Sequence, residues 1–193
     1  MKASLRFAAV LSLLAISSTS LAQEDEGAFE YGSWTSDGNE ATATTLVNDA
    51  ENRLSIACYT GFAGVVGDYQ LIVASDDNGS VADEGWASTV TGGTVTAHLG
   101  GGRTVTTPIK VEISDEDGPY GPIFSFHPSS RRGDWYDASD AAFITSVMNS
   151  DSLVILLNGR RQNIRMSFSG SGSSRAIRGT EGTSWCIPSN ALG

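Results

Sequence analysis

Beyond an apolar leader, the chain is written in short alternating runs cut by turn residues. In "RLSIAC", Leu54, Ile56 and Cys58 fall on one face and Ser55 and Ala57 on the other. "YGSWTS" and "ATTLV" precede this run, and "YQLIVAS", "GTVTAHL" and "TPIKVEIS" follow it. Asp37-Gly38, Asn48-Asp49, Asn78-Gly79 and Asp117-Gly118-Pro119 lie between them as turn signals. Period-two alternation bounded by such pairs is the pattern of antiparallel strands. It predicts a mainly β, single antiparallel β-sandwich-like domain over residues 31–193. No internal repeat and no long linker divides it.

The last third changes period. "DASDAAFITSVMNS" spaces Phe143, Ile144, Val147 and Met148 as a helix does, with Ser139 or Asp140 available as N-cap. This predicts one α-helix crossing the sheet. Leu153 to Leu157 then read as an apolar strand and Asn158-Gly159 as a hairpin turn. In the next strand Ile164, Met166 and Phe168 alternate inward. "SGSGSSRAIRGT" predicts a loop and a short C-terminal helix capped by Ser173 or Ser174.

The start reads as a secretory signal over residues 1–22. Lys2 and Arg6 form a positive end, Phe7 to Ile16 an apolar run too short to span a bilayer, and Ser20 and Ala22 small residues for a peptidase. Residues 23–30, "QEDEGAFE", are acidic and aperiodic, and read as a disordered lead-in. No later segment is apolar enough to span a membrane, so the protein is expected to be periplasmic or secreted. Outside the cytoplasm thiols oxidise, and the chain has two cysteines, Cys58 and Cys186. One bridge is available between them. Closing so long a loop is worth roughly 5 kcal/mol on chain-entropy arithmetic. The alternative is two buried free thiols.

The chain has 12 basic and 22 acidic residues, a net charge of −10. Loss of Lys2 and Arg6 with the leader makes the mature balance −12. Residues 23–129 hold 3 basic and 17 acidic residues, whereas residues 130–193 hold 7 and 5. So acidic a surface argues against nucleic acid and anionic membranes as partners.

The order of landmarks is familiar. Trp34 comes first, then the L-x-I-x-C strand of Leu54, Ile56 and Cys58, and the Phe143-Ile144 helix. A hairpin ending Phe168-Ser169-x-x-Gly172, the Ala176-Ile177 pair and Cys186 follow. In this order the chain resembles the exported proteins of the VasI type, associated with bacterial type VI secretion, and looser relatives in proteobacterial envelopes. The resemblance runs from about Trp34 to Cys186. It implies an exported, disulfide-linked β domain that is not an enzyme.

The chemistry-bearing residues agree with that expectation. Neither G-x-S-x-G nor H-E-x-x-H occurs, and His98 and His127 stand apart. "SDEDG", from Ser114, lacks the acids of a calcium loop at its first and twelfth positions. No cofactor and no metal are expected. The distinctive local mixture is "RRGDWYD": Arg131, Arg132, Asp134, Trp135, Tyr136 and Asp137. Aromatic rings beside guanidinium and carboxylate groups suit recognition of a peptide or a glycan. The expected function is an exported, non-enzymatic binding or assembly protein of the bacterial cell envelope, with a protein or glycan partner. The competing reading is a secreted hydrolase built in a loop around His127, with Ser129, Asp134 and Asp137 nearby.

Overall fold

The computed structural model describes residues 29–47, 50–62, 64–73, 85–115, 121–160, 162–180 and 186–187. The expected signal over residues 1–22, most of the expected lead-in over 23–30, and the turns expected at Asn48-Asp49, Asn78-Gly79 and Asp117-Gly118-Pro119 lie outside them. Ten strands form one sheet: β1 (Phe29–Tyr31), β2 (Trp34–Ser36), β3 (Glu40–Val47), β4 (Ala50–Gly61), β5 (Gly64–Ile72), β6 (Gly92–Leu99), β7 (Arg103–Asp115), β8 (Ile123–Pro128), β9 (Ser150–Asn158) and β10 (Asn163–Ser169). Two helices accompany them, α1 (Ala138–Met148) and α2 (Ser173–Gly179). The antiparallel, β-rich domain read from the sequence is present. Its first strand begins at Phe29, inside the span expected to be a disordered lead-in, because Phe29 to Tyr31 pair with Ser36 to Trp34.

The strand order is β1-β2-β3-β4-β5-β8-β7-β6-β9-β10, antiparallel throughout. The first five strands are a meander. The β6-β7-β8 meander runs back towards them, so that β8 docks on β5. The chain must then cross that meander to reach β9, and α1 is the crossing segment. Its Phe143, Ile144 and Val147 are buried against the sheet. Phe143 meets Tyr69 at 5.0 Å and Phe126 at 6.0 Å between ring centroids, both edge-on.

The sandwich-like arrangement takes the form of a single sheet that curls back on itself. Trp34 Nε1 donates to Ser169 O at 2.8 Å, and Ser33 N donates to Ser171 O at 2.9 Å. Gly172 (φ +92°) sits where a Cβ would lie 1.5 Å from Tyr31 O, so only glycine allows this closure. Inside the curl lie Leu54, Ile56, Leu71, Phe124, Ile155 and Phe168.

Several local expectations are corrected. "IFSFHP" is strand β8 and not a loop, with Phe124 and Phe126 inward and Pro128 ending the strand. The N-cap of α1 is Asp137, not Ser139 or Asp140. Asp137 Oδ1 accepts from Ser139 N, and Asp140 Oδ2 reciprocally accepts from Asp137 N. Helix α2 is preceded by Gly172 with no side-chain cap, because the Ser173 hydroxyl is buried and donates to Val147 O at the end of α1. The β9-β10 connection is longer than the Asn158-Gly159 pair, and Gly159 N donates to Gln162 O across it.

Cys58 and Cys186 form a disulfide, with Cα atoms 6.2 Å apart across 128 residues of sequence. Both are buried. Among the described residues, no helix is long and apolar enough to cross a membrane.

Candidate functional site

The segment from Arg131 to Asp137 joins β8 to α1. Pro128 cannot donate to a further ladder bond, so the strand ends there. Ser129 N donates to Pro108 O and Arg131 N to Pro128 O, which turn the chain out of the sheet. Tyr136 N then donates to Val65 O at 3.0 Å, tying the loop's far end to β5 beyond the point where β8 leaves it.

Three of the six residues singled out in the sequence are committed to contacts within the protein. The Arg131 side chain is only 6% exposed. Its Nε lies 3.3 Å from Asp140 Oδ2 and donates to Trp135 O at 3.1 Å. Its Nη2 is buried without a hydrogen-bond partner. Asp140 is fully buried, and its Oδ1 accepts from the Tyr69 hydroxyl at 3.1 Å. A buried carboxylate is tolerable because every group around it donates. Asp137 caps α1 and also accepts from Arg132 N at 2.8 Å through Oδ2. The backbone N–H groups of Arg132 and Ser139 hold its carboxyl below the ordinary range. Tyr136 is half-buried and donates its hydroxyl to Cys186 O. Burial, with the Asp140 and Asp137 charges adding to it, pushes this phenol above its ordinary value. Burial first, and Asp140 next, raise the Tyr69 phenol well above its ordinary value, and both phenols are protonated donors at neutral pH.

The other three residues face outward. Arg132 and Asp134 are exposed, and Trp135 is 44% exposed. The Trp135 ring lies over Gly64, 3.6 Å from where a Cβ would stand. Gly64 opens β5 just after Phe62, which is fully exposed at the β4-β5 hairpin tip. Tyr59, 51% exposed, pairs with Val66 on the same outward face of the hairpin. Trp135, Phe62 and Tyr59 therefore stand at one end of the sheet beside Arg132 and Asp134. Next along β5, Asp68 is half-buried, and desolvation raises its carboxyl above the ordinary value.

The sequence did not single out Tyr69, Asp140 as a buried anchor, or the pair Tyr59 and Phe62. The last carried a readable signal, since "YTGFAG" places an aromatic residue in a glycine turn where no core is available to it.

His127 projects outward from β8 opposite Lys110, and its Nδ1 lies 3.0 Å from the carbonyl of its neighbour Pro128. Among the described residues no serine hydroxyl or carboxylate hydrogen-bonds it, so no nucleophile–base pair is assembled there. His98 projects outward from β6 opposite Thr104. Among the described residues no group of three or more His, Cys, Asp or Glu is placed to hold a metal ion.

No protein-family model and no curated protein matches the sequence. Among solved structures, the chain is similar to invasion associated protein B from Bartonella henselae, with a TM-score of 0.36 and 12% identity. The match covers 78% of this chain and 92% of that one.

Proposed function

We propose that the protein is an exported, non-enzymatic binding protein of the bacterial cell envelope, periplasmic or secreted. Its recognition surface is formed by Arg132, Asp134 and Trp135, extended by Tyr59 and Phe62. One observation carries the proposal: the loop's own Arg131, Tyr136 and Asp137 are spent on holding it rigid, while its remaining aromatic and charged groups stay uncommitted at the surface. A large ring presented from a fixed backbone loses little entropy when it is covered. The secretory signal in the sequence and the resemblance to VasI-type exported proteins support the envelope setting. The partner is a protein or a glycan, the two classes that aromatic rings beside charges recognise.

The test is site-specific cross-linking in the envelope. A photoreactive phenylalanine analogue in place of Phe62 is expected to yield a discrete adduct. The same analogue in place of Thr106, exposed on β7, is expected to yield none. No adduct from position 62, or identical adducts from both positions, would remove this surface from consideration.

A further inference from the structure

A second surface lies elsewhere on the fold, where the β9-β10 turn packs against the segment leading into β6. There Ser88, Thr89, Thr91, Asn158, Gly159 and Arg160 line a shallow groove, open to solvent, of about 420 Å³. Its walls are pinned. Trp86 Nε1 donates to Gln162 O at 3.1 Å, and Arg160 N donates to Thr89 Oγ1 at 3.0 Å. Thr89 N donates in turn to Trp86 O, and Thr91 O accepts from Val111 N. At Gly159 a Cβ would lie 2.2 Å from Trp86 Nε1, so the turn can approach the indole this closely only with glycine there.

The groove's chemistry differs from the rest of the molecule. Among the described residues none that lines it is acidic, in a chain of net charge −10. Arg160 is exposed, and no carboxylate among the described residues pairs with it. A second cation stands close by. Register places Lys110, Gly92 and Asn158 in one row across β7, β6 and β9, and in each strand these are outward positions. Gly92 has no side chain, so nothing fills the row between the lysine and the asparagine. Neighbouring strands are ~4.8 Å apart, which puts Lys110 about 10 Å from Asn158, within reach of one ligand.

We infer that this groove binds a hydroxylated oxyanion, a sugar acid or a sugar phosphate. The Arg160 guanidinium supplies a planar fork of donors for a carboxylate or phosphate. The Asn158 amide and the Ser88 and Thr91 hydroxyls can both donate and accept, as sugar hydroxyls require. Because the walls are already fixed, little is lost in ordering them when a ligand enters. The site is separate from the aromatic loop and stands whether or not that loop binds a partner.

The experiment is an NMR titration of the mature protein with glucuronate, glucose 6-phosphate, glucose and inorganic phosphate. Both anionic sugars are expected to saturate, with shifts centred on residues 88–91 and 158–160. Glucose and phosphate alone should each bind about tenfold more weakly, and Arg160→Ala should lose about tenfold. Arg165→Ala, on the outward face of β10 and outside the groove, should bind like wild type. Arg160 lies in an exposed turn, and an unchanged melting curve would show that its replacement leaves the fold intact. Equal affinity for glucose and glucuronate would overturn the inference. So would binding unaffected by Arg160→Ala, or shifts that fall elsewhere.

Discussion

Tyr136 donates its phenolic hydroxyl to the backbone carbonyl of Cys186, whose sulfur is bonded to Cys58 in β4. One side chain thus ties the surface loop to the covalent closure of the chain. The loop is held at its start by Arg131, at its end by the Asp137 cap, and near its far end by this phenol. Between those anchors Arg132, Asp134 and Trp135 keep exposed side chains.

The disulfide is expected to be complete in protein isolated without reductant. Thiol titration of the unfolded, non-reduced mature chain should find no free thiol, whereas two thiols would contradict the bridge. Replacing both cysteines with serine should cost about 2–5 kcal/mol. Tyr136→Phe keeps the ring and removes only the hydrogen bond, so it should cost about 1 kcal/mol in a denaturant melt.

Phe143 is the point at which α1 grips the sheet, edge-on to both Tyr69 and Phe126. Phe143→Ala should destabilise by about 3–5 kcal/mol. A change below ~1 kcal/mol would mean that the helix is peripheral to the core.

Arg131 anchors the loop through its buried ion pair with Asp140. Arg131→Met leaves the buried Asp140 carboxyl without its cation, and should cost about 3–5 kcal/mol. Combining Arg131→Met with Asp140→Asn removes both charges and should recover a large part of that loss. Near-wild-type stability of the single variant would show that the pair contributes little and that Arg131 is free for recognition.

Two carboxylates respond to pH in opposite senses. Asp137 is held ionised by backbone N–H groups, so its folded value lies below the ordinary 3.8. Its stabilisation is present above pH 3.8 and is lost as pH falls through the lower folded value. Asp68 is raised by burial, so the folded chain carries more protons than the unfolded one between 3.8 and its folded value. Rising pH therefore removes stability through that window. Asp68→Asn should raise the denaturant midpoint at pH 7 and leave it unchanged well below pH 3.8, while Asp137→Asn should lower it at pH 7. An Asp68→Asn effect independent of pH would contradict the assignment.

Strand alternation, the helical period of Phe143 to Met148, and a cysteine count of two made the β domain, the crossing helix and the bridge legible in advance. Strand β8 was not, because Pro128 and the turn residues after it mask the Phe124/Phe126 alternation. The "DASD" segment offers three residues able to cap a helix, and the choice of Asp137 depends on where Tyr136 is pinned to Val65. The composition of the Arg131–Asp137 loop was readable, but the anchoring of half its residues was not. That anchoring depends on Asp140, Tyr69 and the Cys186 carbonyl, and Tyr69 and Cys186 reach the loop only through the tertiary fold.

The most direct measurement compares wild-type mature protein with the Arg132→Ala/Trp135→Ala double variant in capture of solubilised envelope proteins and purified cell-wall glycan. The two forms must first be matched by thermal melting, since both side chains are exposed and their loss should leave the fold unchanged. Retention by the double variant should fall at least ~tenfold, the loss expected when a central aromatic anchor and its charged neighbour are removed. Undiminished capture by the folded double variant would contradict the assignment of this loop as the recognition surface.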